Sequence, residues 1–192
     1  MSEISRKSST RRIVFAAVGI ALAFVTSLIT VFKMPFGGNV TLLSMLFIVL
    51  IANWYGTRAG IISGLIFGIL QFVLEPVFLS PLQVCFDYLM AYSALGLAGL
   101  FSSRKHGLVV GYIVGISARA LFSSLAGYFY WMDYMPDNFP RSIAFMYPII
   151  YNYGFIYAEG IVTLIVICIP AVSNGIARMK LLACGADKGL DR

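Results

Sequence analysis

Nearly charge-free apolar runs of about 20 residues recur along almost the whole chain, and no other feature restricts its fold so severely. Such a run has the length a helix needs to cross a hydrocarbon layer roughly 30 Å thick. Inside that layer every backbone N–H and C=O must find a partner within the protein, and a helix satisfies this segment by segment. Sustained period-two alternation, which a membrane barrel would require, is not seen in the sequence. Composition points the same way: 60% of residues are hydrophobic and 11% charged, against about 45–50% and about 25% in soluble domains. These values argue against a soluble cytosolic enzyme.

Polar punctuation cuts six segments, near 12–32, 40–54, 58–74, 81–101, 108–131 and 143–173. The expectation is one all-α membrane domain over residues 1–192, six transmembrane helices in a single bundle. The run from Ile13 to Phe32 has no small-residue cleavage site after it and reads as the first span rather than as a signal peptide. Cationic residues then divide unevenly. Arg6, Lys7, Arg11, Arg12, Arg58, Arg104, Lys105, Arg178, Lys180, Lys188 and Arg192 fall on one side, and only Lys33 and Arg141 on the other. The positive-inside rule places both termini in the cytoplasm. The net charge of +6 thus sets topology, and nucleic acid is not expected as a partner. Three cysteines, Cys85, Cys168 and Cys184, imply no disulfide framework.

What the chain lacks narrows its function further. It has no phosphate-binding G-x-x-x-x-G-K-[ST] loop, no H-E-x-x-H, no Cys/His cluster and no G-x-S-x-G elbow, and its one histidine, His106, lies in a basic loop. Enzymatic activity, a metal site and a cofactor are therefore not expected. With no internal repeat to build two rocking halves, the chain is either a small channel or a protein whose partners supply the energy.

Ionisable groups within the bilayer are costly and mark candidate sites. Asp87 follows Pro81 by six residues, roughly 9 Å along a helix. Arg119 lies deep in the fifth segment, and Asp87 or Glu159 is its expected partner. A purely structural ion pair is the plain alternative to a ligand role for Asp87 and Arg119. Arg119 and Ser123 share a face at i, i+4, and this stripe leads towards the aromatic group around Trp131. Asn152 and Glu159, seven residues apart, share a face of the last segment with Tyr147 and Tyr151 nearby. The stretch Met34, Pro35, Phe36, Gly37, Gly38, Asn39 resists regular helix and reads as a bent or mobile loop. Ala17 and Ala21, and offset from them Gly19 and Ala23, form small-residue faces on the first helix, while Gly60, Gly64 and Gly68 form a row on the third. Packing within the bundle is the simpler reading of the glycine row. The Ala17/Ala21 face is the better candidate for an external helix.

An ordered set of fragments carries a family resemblance across almost the entire chain. It runs from Gly37-Gly38-Asn39-Val40-Thr41 and Ser44-Met45 through Pro81-Leu82-Gln83, Asp87-Tyr88 and Leu95-Gly96-Leu97-Ala98-Gly99-Leu100-Phe101. It continues through Ala126-Gly127, Trp131, Tyr147-Pro148 and Tyr151-Asn152. This set resembles the thiamine-specific substrate-binding (S) subunits of energy-coupling factor (ECF) transporters. The resemblance implies a multi-pass protein of the bacterial cytoplasmic membrane that captures a vitamin from outside. It also implies docking through the alanine face on a transmembrane coupling subunit with two ATPases. It carries ligand roles onto Asp87, Tyr88, Trp131, Tyr147 and Asn152, and a lid role onto the loop from Met34 to Asn39. One departure stands out: Ser123 occupies the place where members of the family commonly have a histidine. That leaves a related heteroaromatic vitamin or a thiamine precursor as an alternative ligand, and a stand-alone channel or facilitator as an alternative function. Thiamine's cationic thiazolium asks for a carboxylate and aromatic faces, and its aminopyrimidine for hydrogen-bonding edges.

Overall fold

A computed structural model describes residues 3–34 and 38–185, with side chains from residue 9 onward. Helix α1 (Glu3–Ser27) leads into a hairpin of β1 (Thr30–Lys33) and β2 (Asn39–Thr41). Helices α2 (Ser44–Tyr55), α3 (Thr57–Leu74) and α4 (Pro81–Phe101) follow, then α5 (Gly107–Tyr130), α6 (Tyr147–Cys168) and α7 (Pro170–Cys184).

Among the described residues, five helical stretches are long and apolar enough to cross a membrane: Ser9–Ser27, Thr57–Leu74, Pro81–Phe101, Gly107–Tyr130 and Arg141–Cys168. The sixth expected span, α2, has 12 residues, about 18 Å of helix. It is shorter than a bilayer core, yet it forms the centre of the molecule. Met45, Ile48, Val49, Ile51 and Ala52 are all fully buried there. An all-α membrane architecture therefore holds, with a short buried helix in place of one expected span.

Three expected boundaries are corrected. The segment 12–32 leaves the helix at Ser27, where Thr26 and Ser27 hydroxyls donate back to the Leu22 and Phe24 carbonyls at 2.8 and 2.7 Å. Thr30, Val31 and Phe32, all of types suited to a pleated surface, then form β1. Segment 40–54 begins as strand β2, antiparallel to β1 with Lys33 opposite Asn39, and becomes helical only at Ser44. Segment 143–173 is broken at Ile169, held extended because Pro170 follows and cannot donate a helical hydrogen bond.

Close helix contact explains the small residues. A Cβ on Gly64 would collide with the carbonyl of Tyr92, one on Gly68 with that of Tyr88, and one on Gly60 would lie 2.8 Å from the Gly96 Cα. The glycine row is thus packing between α3 and α4, and it fixes the backbone that carries Tyr88 and Tyr92. On α1 the two small-residue faces separate. Ala23 is fully buried and a Cβ on Gly19 would lie 2.8 Å from Ile51, whereas Ala17 and Ala21 face outward with Val14, Val18 and Val25.

Candidate functional site

The hairpin lies across one end of the bundle, above a cavity of about 410 Å³ between α4, α5 and α6. Seven expected residues line it: Asp87, Tyr88, Arg119, Ser123, Trp131, Tyr147 and Asn152. Glu159, the eighth, does not.

Local backbone chemistry places the carboxylate. Ser80 caps α4, its hydroxyl accepting from the Gln83 N–H at 3.1 Å, and Pro81 occupies a first-turn position where no N–H is needed. The helix then widens into a π turn over Cys85–Met90, the kind of irregularity that inserts an extra residue and redirects side chains. Asp87 and Tyr88 sit within it. The Oδ2 of Asp87 accepts from Gln83 Nε2 at 2.8 Å and from the indole Nε1 of Trp131 at 3.1 Å. This second bond ties α4 to the end of α5. Trp131 leans on Tyr134, ring centres 5.3 Å apart, so carboxylate and aromatic faces meet at one wall.

The opposite wall is set by Gly127. Its missing side chain lets α6 come close: a Cβ there would lie 2.8 Å from Pro148 and 3.2 Å from the Asn152 amide nitrogen. Asn152 Nδ2 donates to the Pro148 carbonyl at 2.9 Å, which fixes the amide and leaves Oδ1 as an acceptor. Tyr147 and Tyr151 stack obliquely, centroids 5.9 Å apart, on the same helix.

The hairpin is latched at two points. Glu75, just beyond α3, pairs with Lys33 Nζ at 3.4 Å and accepts from Asn39 Nδ2, and its carbonyl accepts from the Tyr88 hydroxyl at 2.9 Å. Across the mouth, the Gly38 N–H donates to the Tyr151 hydroxyl at 3.1 Å. A Cβ on Gly38 would lie 2.7 Å from that hydroxyl, so glycine is needed there for close approach. Of the expected lid residues, Gly38 and Asn39 line the cavity and Met34 packs against the core; Pro35 and Gly37 lie outside the described residues.

Two expected partnerships are corrected. Arg119 forms no ion pair with Asp87 or Glu159; the pair recorded among the described residues is Lys33–Glu75. Arg119 Nη2 instead donates to the Tyr92 hydroxyl at 3.0 Å, with the guanidinium 4.3 Å from that ring's centre. Glu159, 2% exposed, is saturated by donors from the hairpin and α2. It accepts from Thr41 N and Oγ1 at 3.1 and 2.6 Å, from Ser44 Oγ at 3.0 Å and from Met45 N at 3.3 Å. Leu43, before α2, has a positive φ of 62° and provides no side-chain cap, so this carboxylate from α6 serves the helix end instead. Trp54 packs edge-on against Phe15 and Tyr55.

Gln83, Tyr92, Glu75 and Lys33 line the cavity but escaped sequence reasoning. Tyr92 follows Asp87 by five residues, a spacing that shares a face only when a π turn intervenes. Lys33 was legible as a charge on the sparsely cationic side, without a sign that it pairs with Glu75.

The site's character, a vitamin-sized cavity beneath a hairpin in a membrane bundle, leads to the family comparison. Residues 13–178 match the family described as thiamine transporter protein. The chain belongs to this family. It is accordingly a multi-pass protein of the bacterial cell membrane, in a family of transporters rather than enzymes. The thiamine transporter ThiT of Bacillus subtilis (strain 168) is 26% identical to it over 174 residues, 82% of this chain and 88% of that relative. A solved structure of ThiT from Listeria monocytogenes matches with a TM-score of 0.69 at 23% identity, covering 86% of this chain and 96% of the other. That likeness bears on the fold.

Proposed function

We propose that this chain binds thiamine at the hairpin-covered cavity and serves as the substrate-specific S subunit of an ATP-driven ECF transporter. The observation that carries this reading is the contact of Asp87 with Trp131, a carboxylate and an indole held together at the cavity wall. A permanent heteroaromatic cation finds there both a counter-charge and a π face. Tyr88, Tyr147 and Asn152 supply further aromatic and hydrogen-bonding edges. Membership of the thiamine transporter family and the ThiT relatives support the same ligand.

In this reading the hairpin end faces outward and both termini are cytoplasmic. Arg58, Arg104 and Lys105 support that orientation, since they lie at the helix ends opposite the hairpin. Ser123, a small hydroxyl on the cavity wall, is the place where a related heteroaromatic ligand would be told from thiamine.

Fluorescence tests the binding claim. The chain has two tryptophans, so Trp54→Phe leaves Trp131 as the reporter. Saturable quenching by thiamine is expected in Trp54→Phe and absent in Trp131→Phe. Quenching that follows Trp54 instead would overturn the placement of the site. Binding that is weak and never saturates would favour a facilitator, because a tight site opposes rapid conduction.

Partner docking has its own test. Ala17 and Ala21 are exposed on α1, so indoles there would obstruct close approach of another helix. The Ala17→Trp/Ala21→Trp variant is expected to bind thiamine as the parent does while cellular thiamine uptake drops severalfold or more. Normal uptake at normal expression would refute docking through this face.

A further inference from the structure

Charges of opposite sign segregate to opposite ends of the bundle. Among the described side chains the carboxylates are Glu75, Asp87, Asp133, Asp137 and Glu159, each in the hairpin half or reaching into it. At the other end stand Arg11, Arg12, Arg58, Arg104, Lys105, Arg178 and Lys180, and no described carboxylate lies among them.

Three of these cations converge at one point, and α7 brings them there. The break at Ile169 turns the chain out of α6, and α7 then crosses to the inner ends of α2 and α1. Lys180 Nζ donates to Asn53 Oδ1 at 3.0 Å, and the Tyr55 hydroxyl donates to the Ala183 carbonyl at 3.3 Å. Gly185, in the left-handed region at φ 76°, ends α7 directly against α1: a Cβ there would collide with the Arg11 guanidinium. Arg12 lies close enough to Tyr55 to act on its hydroxyl electrostatically, as Arg11 does. Arg11 and Arg12 from α1 and Lys180 from α7 thus gather round the end of α2. Arg104, by contrast, sits in the loop between α4 and α5 over the Phe101 ring, 5.1 Å from its centre.

Apolar surface adjoins the cluster. Ile13, Val14 and Val18 follow the two arginines on α1 and are exposed; on α7, Val172, Ile176 and Ala183 turn inward while Met179, Leu181 and Leu182 stay exposed. Exposed aliphatic side chains on a membrane span face acyl chains, so Arg11 and Arg12 stand where those chains end and headgroups begin. A basic helix with exposed leucines, laid across the ends of other helices, belongs to the same interface. Guanidinium groups match phosphate oxygens with paired N–H donors, and a lysine beside them adds a compact positive charge.

We propose that Arg11, Arg12 and Lys180 form a binding site for the headgroup of an anionic phospholipid, whose acyl chains run along the exposed apolar surface of α1. The site is separate from the hairpin-covered cavity and does not depend on what that cavity binds. A lipid held there clamps α7 against α1 and α2.

Native mass spectrometry reads the site directly. The purified full-length chain is equilibrated in detergent with equal amounts of phosphatidylglycerol and phosphatidylcholine bearing the same acyl chains. The wild-type chain is expected to retain phosphatidylglycerol at least fivefold over phosphatidylcholine. In Arg11→Gln/Arg12→Gln/Lys180→Gln that preference should fall below twofold, while Arg104→Gln/Lys105→Gln, which removes two cations from the same end, should keep it. Equal loss in both variants would show a diffuse cationic surface and overturn the site, as would a wild-type chain without preference. Displacement of phosphatidylglycerol by inorganic phosphate would assign the cluster to a soluble anion and overturn it too. Where the triple variant does not fold, Arg12→Gln is read in its place and should lower the preference at least twofold; an unchanged preference would refute the proposal.

Discussion

Replacing Asp87 with asparagine is expected to weaken thiamine binding by more than tenfold in dissociation constant, while the variant folds and inserts normally. The size follows from what is removed. A carboxylate facing a cationic ring in a shielded cavity makes charge-assisted contacts worth about 1.5–3 kcal/mol, and about 1.4 kcal/mol is a factor of ten. Asparagine keeps the shape and one acceptor oxygen, so the bonds from Gln83 and Trp131 can re-form around it. Because Arg119 does not depend on Asp87 for a partner, the substitution strands no buried cation. Titration calorimetry on the folded protein provides the check. Near-normal affinity in the asparagine variant would show that Asp87 braces α4 against α5 without meeting the ligand.

How far the sequence foretold this arrangement differs from one element to the next. The long spans over α3 and α5 were legible almost to the residue, because an apolar run ended by charge or proline has few other solutions in a bilayer. Hydropathy could not report that α2 is short and central, since a buried helix and a lipid-facing helix are equally apolar. Nor could it find the strands: Thr30–Lys33 is as hydrophobic as the helix before it, and only its pairing with Asn39–Thr41 makes it extended.

The site shows the same division. Asp87, Ser123, Trp131 and Asn152 announced themselves as polar or amphipathic groups in apolar surroundings, and all four line the cavity. Their partners did not: Gln83 is a regular i, i+4 neighbour of Asp87 that drew no notice as a neutral amide, and Tyr92, beyond the widened turn at Cys85–Met90, meets Arg119 on another helix. A helical wheel at 3.6 residues per turn sets Tyr92 about 140° round from Asp87, on another face of α4. Arg119 illustrates the limit of charge counting: opposite charges on neighbouring helices invite pairing, but side-chain direction decides it.

Glu159→Leu is expected to destabilise the protein by about 3 kcal/mol or more and to speed thiamine release, in contrast to the ligand role its position first suggested. Leucine fills much of the space but leaves Thr41 N, Thr41 Oγ1, Ser44 Oγ and Met45 N without their acceptor. Each stranded donor in a buried setting costs about 1–3 kcal/mol, reduced where the chain can shift to find water. The loss falls where β2 joins α2, so the hairpin strand carrying Asn39 and Thr41, both on the cavity wall, loses its anchor on α6. Glu159→Gln retains an acceptor oxygen but turns an amide NH₂ towards the same donors, and a smaller cost of about 1–2 kcal/mol follows. Thermal unfolding in detergent should therefore rank wild type above glutamine above leucine, and stopped-flow displacement should rank thiamine off-rates in the opposite order. A residue that touched only the ligand would lower affinity and leave the unliganded melting temperature where it was. A clamp moves both, because the same four hydrogen bonds hold the end of α2 and the floor of the lid.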